Sequence, residues 1–199
     1  MKAHDRESWL TAAADKIIAD LISPVLPNGV PSWPFRVSVG FPPNTRPASR
    51  TLAVCCTRES SAAGYSEIFV TPQLDDSIEI LAALTHELIH YTDNCESGHK
   101  GHFEQVARAV GLVGPLTATT ASIDLKVELY EVIDALGEIP HAKLNVHALA
   151  ANKQSTRMLK VLCTNAACGF MFRASQTQLA KVNFKTARCP ACTQKTLSH

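Results

Sequence analysis

Apolar residues recur at helical spacing over residues 5–22, where Trp9, Leu10, Ala13, Ile17 and Leu21 form one stripe that Pro24 closes. This predicts a packing helix. A proline-rich connection from Pro24 to Pro34 leads into Phe35-Arg36-Val37-Ser38-Val39-Gly40, whose alternation predicts a strand. After a loop holding Pro42, Pro43 and Pro47, Thr51 to Cys56 and Glu67 to Val70 read as two more strands, separated by a polar loop around Ser60 to Gly64. The helical period returns at Asp76, with Ile80, Leu81, Leu84 and Leu88 on one face and Asp76 and Glu79 in the form of a capping box. Phe103, Val106, Ala107 and Val110 make the next stripe, ended by Gly111 and Gly114-Pro115. Leu125, Leu129, Val132, Ile133 and Leu136 predict a helix over Ile123 to Leu136, stopped by Gly137 and Pro140. From His141 to Thr156 neither period holds, which reads as a linker. Met158 to Leu162 then reads as a strand running into Cys163.

Strands followed by helices, then a cysteine-bearing module, define an α+β chain of two domains, residues 1–145 and 156–199. At 199 residues and 46% hydrophobic content the chain holds enough apolar material for a packed core. The formal net charge of +1 conceals an asymmetry. From residue 151 onward there are eight lysines and arginines and no acidic residue, against eleven basic and eighteen acidic residues before it. A basic tail therefore follows an acidic body. No apolar run reaches the length of a membrane span, and Met1-Lys2-Ala3-His4-Asp5-Arg6-Glu7 leads into no signal-peptide core, so a cytoplasmic protein without membrane partners is expected. Seven cysteines, four of them in two close pairs, point to metal rather than disulfides in such a compartment.

The Asp76 helix carries His86-Glu87-Leu88-Ile89-His90. At i, i+4 spacing both imidazoles leave one helix face and can grip one zinc, with Glu87 beside them as base, the signature of a zinc protease. A third ligand must follow. Asp93 and Glu96 stand where a metzincin would have its glycine and third histidine, and Glu104 would be the gluzincin alternative. In Gly98-His99-Lys100-Gly101-His102-Phe103 the glycines let the backbone turn back under the helix, so His99 is the expected ligand and His102 the alternative. Tyr91 and His102 are candidate helpers at the reacting carbonyl.

In the tail, Cys163 and Cys168 precede a basic hairpin, and Cys189-Pro190-Ala191-Cys192 follows it. Four thiolates so spaced close a tetrahedral structural zinc site, and a segment this small needs the metal to fold. Arg173, Lys181, Lys185 and Arg188 are candidate contacts to a nucleic-acid backbone, with Phe170, Phe172 and Phe184 either stacking on bases or forming the ribbon's core. Cys55, Cys56 and Cys95 are read as structural.

The histidine helix, the Gly98-His99 element followed by Phe103, and the four-cysteine ribbon together resemble the SprT-like family, which includes Spartan-type DNA-dependent proteases. The resemblance covers roughly residues 66–112 and 158–192. It implies a zincin-like domain followed by a zinc ribbon, in a bacterial cell or a phage-infected host. It also implies one catalytic zinc on His86, His90 and His99, a second zinc on the four cysteines, and Glu87 as catalytic base. The implied activity is zinc-dependent cleavage of protein substrates, including proteins bound or crosslinked to DNA. Lys100 and His102 depart from the family's usual Gly-His-Gly. The competing reading is a nucleic-acid-binding or regulatory zinc-ribbon protein in which the zincin domain serves only as scaffold.

Overall fold

Asp5 opens the first helix: its carboxylate accepts the Ser8 N–H at 2.7 Å, and the Ser8 hydroxyl faces the Asp5 N–H in return. The computed structural model describes residues 5–43, 50–146, 148, 158–193 and 197–198. In it α1 spans Arg6–Ile17 and buries Trp9, Leu10, Ala13, Ala14 and Ile17. The coil continues as a π-turn over Ile18–Ile22 and a 3-10 turn over Ser23–Val25, so Pro24 lies inside a helical turn instead of closing one. Proline fits there because the opening N–H groups of a new turn have no partner to lose. The loop reading at Pro47 and most of the linker fall outside the described residues, as do Lys153, Arg157 and Lys195. The chain divides into two units, Met1–Leu149 and Ala150–His199.

The first unit holds a three-stranded sheet of β1 (Phe35–Val39), β2 (Ala53–Cys56) and β3 (Ser66–Val70), in the order β1-β3-β2. Central β3 pairs in parallel with β1, Val37 opposite Ile68, and antiparallel with β2, Cys55 opposite Ile68. Its alternation is sharp, with Ser66, Ile68 and Val70 buried. Strand β2 is therefore an edge, with one backbone neighbour among the described residues.

Helix α2 (Ser77–Thr92) starts at Asp76, whose carboxylate accepts the Glu79 N–H at 2.8 Å. Its sequence suggests one apolar stripe, but Ile80, Leu81, Leu84, Leu88, Ile89 and Tyr91 are all buried. The helix lies against the sheet on one side and against α1, α3 (His102–Ala109) and α4 (Ile123–Leu136) on the others, so it is the centre of the core. Truncating Leu84 or Leu88 to alanine would cost about 2–5 kcal/mol, a large share of a domain's stability. Between α3 and α4 lies a short hairpin, β4 (Leu112–Val113) and β5 (Thr120–Ala121), which hydrophobic patterning does not show. Ser122 caps α4 by accepting the Leu125 N–H, and Trp9 Nε1 donates to the Gly137 carbonyl at 2.8 Å, joining α1 to the end of α4.

The second unit pairs β6 (Met158–Cys163) with β7 (Met171–Ser175) and β8 (Leu197–Ser198), in the order β7-β6-β8, beside a single turn of helix, α5 (Gln176–Leu179). Among its described residues Val161, Leu179 and Cys189 are buried, with Phe170, Phe172 and Phe184 packed against them. The three phenylalanines thus serve as ribbon core. No helix among the described residues is long and apolar enough to cross a membrane.

Candidate metal centres

One turn of α2 separates His86 from His90, and both rings point off the same face. His99 reaches them from the connection between α2 and α3. The polypeptide can make that return because Gly98 and Gly101 adopt φ of 55° and 52°, a region that suits glycine. The Nε2 atoms converge: His99 lies 3.2 Å from His86 and 3.3 Å from His90. Nitrogens bound tetrahedrally to one ion at about 2.0–2.1 Å are separated by about 3.3–3.4 Å, so these three sit where one metal ion would place them.

Phe103, fully buried, forms the floor of this cluster, stacked on His90 at a 4.3 Å centroid distance and meeting His86 edge-on at 4.7 Å. Burial, followed by the mutual proximity of the rings, pushes His86 down to about 3 and His90 down to about 4. Both imidazoles are therefore neutral near pH 7 and keep a lone pair for an ion. Glu87 is 8% exposed; burial pushes its carboxyl up to about 7, against the N–H of Cys55 on β2, which donates to Oε2 at 2.7 Å and pulls the other way. A carboxylate in the range useful to a general base thus lies between the histidine face and the sheet edge.

His102 takes no part in the cluster. Its Nε2 meets the Thr92 hydroxyl at 2.8 Å, and because that hydroxyl donates to the Ile89 carbonyl, His102 is the donor and Nε2 holds the proton. This removes it as a ligand alternative and as a helper. Glu104 is exposed on α3 and also lies outside the cluster. Tyr91 is likewise not aimed at the site: its hydroxyl is committed to the carbonyls of Trp33 at 2.8 Å and Pro31 at 3.2 Å. Replacing His99 with alanine should therefore remove one of two bound metals by elemental analysis, whereas His102→Ala should retain both. The reverse pattern would displace His99 from the set.

Sequence reading missed Thr119. Its hydroxyl lies 2.8 Å from His86 Nδ1, immediately before β5, where neither motif nor period marks it. With Nδ1–H donating to Thr119, Nε2 is left as the lone-pair nitrogen facing the cluster. His90 Nδ1 is buried with no partner among the described residues, so that ring relies on Phe103 for its orientation. Thr119→Val should weaken metal affinity at this centre by about 10-fold or more, with Thr119→Ser close to wild type, as read by competition with a chromogenic chelator. Equal affinities for Val and wild type would leave the hydroxyl without that role.

In the second unit Cys163 and Cys192 Sγ are 3.6 Å apart, and Cys168 and Cys189 are 3.7 Å apart. Sulfurs bound tetrahedrally at about 2.3 Å are separated by about 3.8 Å, so the four thiols form a closed cage for an ion. Burial works against ionisation of Cys189, but the N–H groups of Cys192 and Ala191 hold its thiol down at about 7. The Asn165 N–H faces Cys163 Sγ at 3.4 Å in the same way at the other knuckle. Arg173, Lys181, Lys185 and Arg188 are all exposed, and Lys160 stands directly across the β6–β7 ladder from Arg173. Like charges so paired repel unless an anion lies between them.

Comparison of the chain with protein-family models, curated proteins and solved structures finds no match.

Proposed function

We propose that the chain is a zinc-dependent peptidase of the zincin type, carrying a zinc ribbon that binds nucleic acid. One observation carries the reading: three Nε2 atoms converge at ion-binding separations on a helix face whose neighbouring carboxylate, Glu87, reaches an edge strand. His86, His90 and His99 would hold the catalytic zinc, and Cys163, Cys168, Cys189 and Cys192 the structural one. Zinc, when bound to the histidines, supplies a Lewis acid that acidifies water and polarises a carbonyl oxygen.

The chain supplies the rest. Glu87 Oε2 is engaged by the Cys55 N–H, which leaves Oε1 to take the proton of the attacking water and return it to the departing amine. Edge strand β2 has a strand neighbour on one side only among the described residues, and an extended peptide lying along its other side would bring the scissile bond to the Glu87 face of α2. Phe103 keeps the underside of the cluster dry. Protein substrates follow from that extended binding mode. Substrates bound or crosslinked to DNA follow from the ribbon, whose exposed cations and facing Lys160–Arg173 pair suit a phosphate backbone.

The test is an unfolded protein substrate incubated with metal-loaded, metal-stripped and zinc-restored protein. Cleavage should vanish on stripping and return with zinc. No cleavage by fully loaded protein, with or without DNA, would overturn the peptidase reading and favour a nucleic-acid-binding scaffold.

A further inference from the structure

Three cysteines belong to neither metal cluster, and two of them meet. Cys55 lies on edge strand β2, and Cys95 lies in the turn between His90 and His99, forty residues later in the sequence. The Cys95 thiol donates to the Cys55 carbonyl at 3.5 Å, which sets its sulfur beside Cys55. Cys56 follows Cys55 on the strand, so alternation sends its side chain to the other face.

The pair is built into the backbone. Asn94 and Cys95 both adopt positive φ, 55° and 64°, a region that residues other than glycine and asparagine enter rarely. Three bonds hold the turn in that shape: the Cys95 N–H donates to His90 O at 2.8 Å, the Asn94 side chain accepts the Arg58 N–H at 3.0 Å, and its Nδ2 donates to Glu59 at 2.8 Å. The Asn94 bonds clamp the turn to the segment just after β2, which keeps Cys95 opposite Cys55. Both residues are partly exposed.

We propose that Cys55 and Cys95 form a reversible, peroxide-sensitive dithiol whose closure tethers β2 to the loop bearing His99. One of the two sulfurs attacks one peroxide oxygen, the O–O bond breaks, and its sulfenic acid forms as the first water leaves. The other sulfur then displaces the sulfenic hydroxyl, giving the S–S bond and a second water. Two thiols are oxidised and one peroxide is reduced. Closure pins the edge that receives substrate to the segment that holds a ligand; this consequence for turnover rests on the peptidase reading, while the disulfide itself does not.

Trypsin separates the partners, releasing Cys55 and Cys56 together on residues 51–58 and Cys95 alone on 59–100. Full-length, metal-loaded protein is treated with hydrogen peroxide and digested without reductant. A cross-linked 51–58/59–100 species should appear, persist in Cys56→Ser, vanish in Cys55→Ser and Cys95→Ser, and dissolve in dithiothreitol. Cys95 found reduced, over-oxidised to sulfinic acid, or linked through Cys56 would overturn the site. Peroxide should slow peptidase turnover by about tenfold or more, since small misplacements near reacting groups cost up to about 10²-fold. Cys95→Ser should hold its rate under peroxide. A mapped 55–95 bond with unchanged turnover would overturn the tethering consequence alone.

Discussion

Glu87→Gln should abolish peptide hydrolysis while leaving both metals and the fold in place, with turnover lower by about 10²–10⁴-fold, the share that general-base catalysis supplies. The substitution keeps the side chain's shape. Its amide oxygen can still accept the Cys55 N–H that Glu87 Oε2 takes at 2.7 Å, so β2 and α2 stay joined. It loses only the ability to take up a proton. Because burial disfavours the charge on Glu87, the neutral amide relieves a desolvation cost, and the melting temperature should not fall. Metal content should stay at the wild-type value, because Glu87 is not among the convergent donors. Initial rates on an unfolded protein, elemental analysis and a thermal melt on one preparation decide the matter. Undiminished proteolysis by the Gln variant would remove Glu87 as base.

Long elements were readable from the sequence because burial imposes their period. The helix predicted over Ile123 to Leu136 has those bounds in the structure, and the three strands ahead of α2 are present with shifts of one or two residues at their ends. Elements held by local bonding left no such trace. The two-residue strands β4 and β5 are too short to alternate, so the hairpin that brings Thr119 to His86 was invisible. Pro24 looked like a stop, but a π-turn followed by a 3-10 turn carries the coil past it. At the site, glycines around His99 predicted a return of the chain, which Gly98 and Gly101 make with positive φ. The fate of His102 depended on the Thr92 hydroxyl one turn below, a contact between side chains ten residues apart that spacing alone does not rank. Nothing in the sequence marks Cys95 for a similar reason: its meeting with Cys55 spans forty residues and depends on two consecutive left-handed residues that neither composition nor periodicity announces.

Cys189→Ser should unfold the ribbon and spare the body. Among the described residues of the second unit Val161, Leu179 and Cys189 alone are fully inside, too little apolar area to offset the chain entropy of ordering it. The remaining stability would come from an ion held by the four thiols, whose binding in comparable small modules is worth on the order of 10–16 kcal/mol. Serine at 189 removes a sulfur that local N–H groups hold down at about 7, and opens the cage. Amide exchange should therefore lose protection across β6 and β7 while α2 and α4, in the other unit, keep theirs, and elemental analysis should find one metal fewer. The proposed nucleic-acid binding should follow the fold. If Arg173, Lys181, Lys185 and Arg188 meet four phosphates, affinity for a labelled single strand falls with salt at a log–log slope near about −3. The unfolded variant keeps those charges but must order them on each encounter, at about 2–5 kcal/mol, so its affinity at fixed salt should drop at least about thirtyfold. A Cys189→Ser protein that retains both metals, protected β6 and β7 amides and wild-type affinity would show that the four-thiol cage neither folds the ribbon nor arrays its cations.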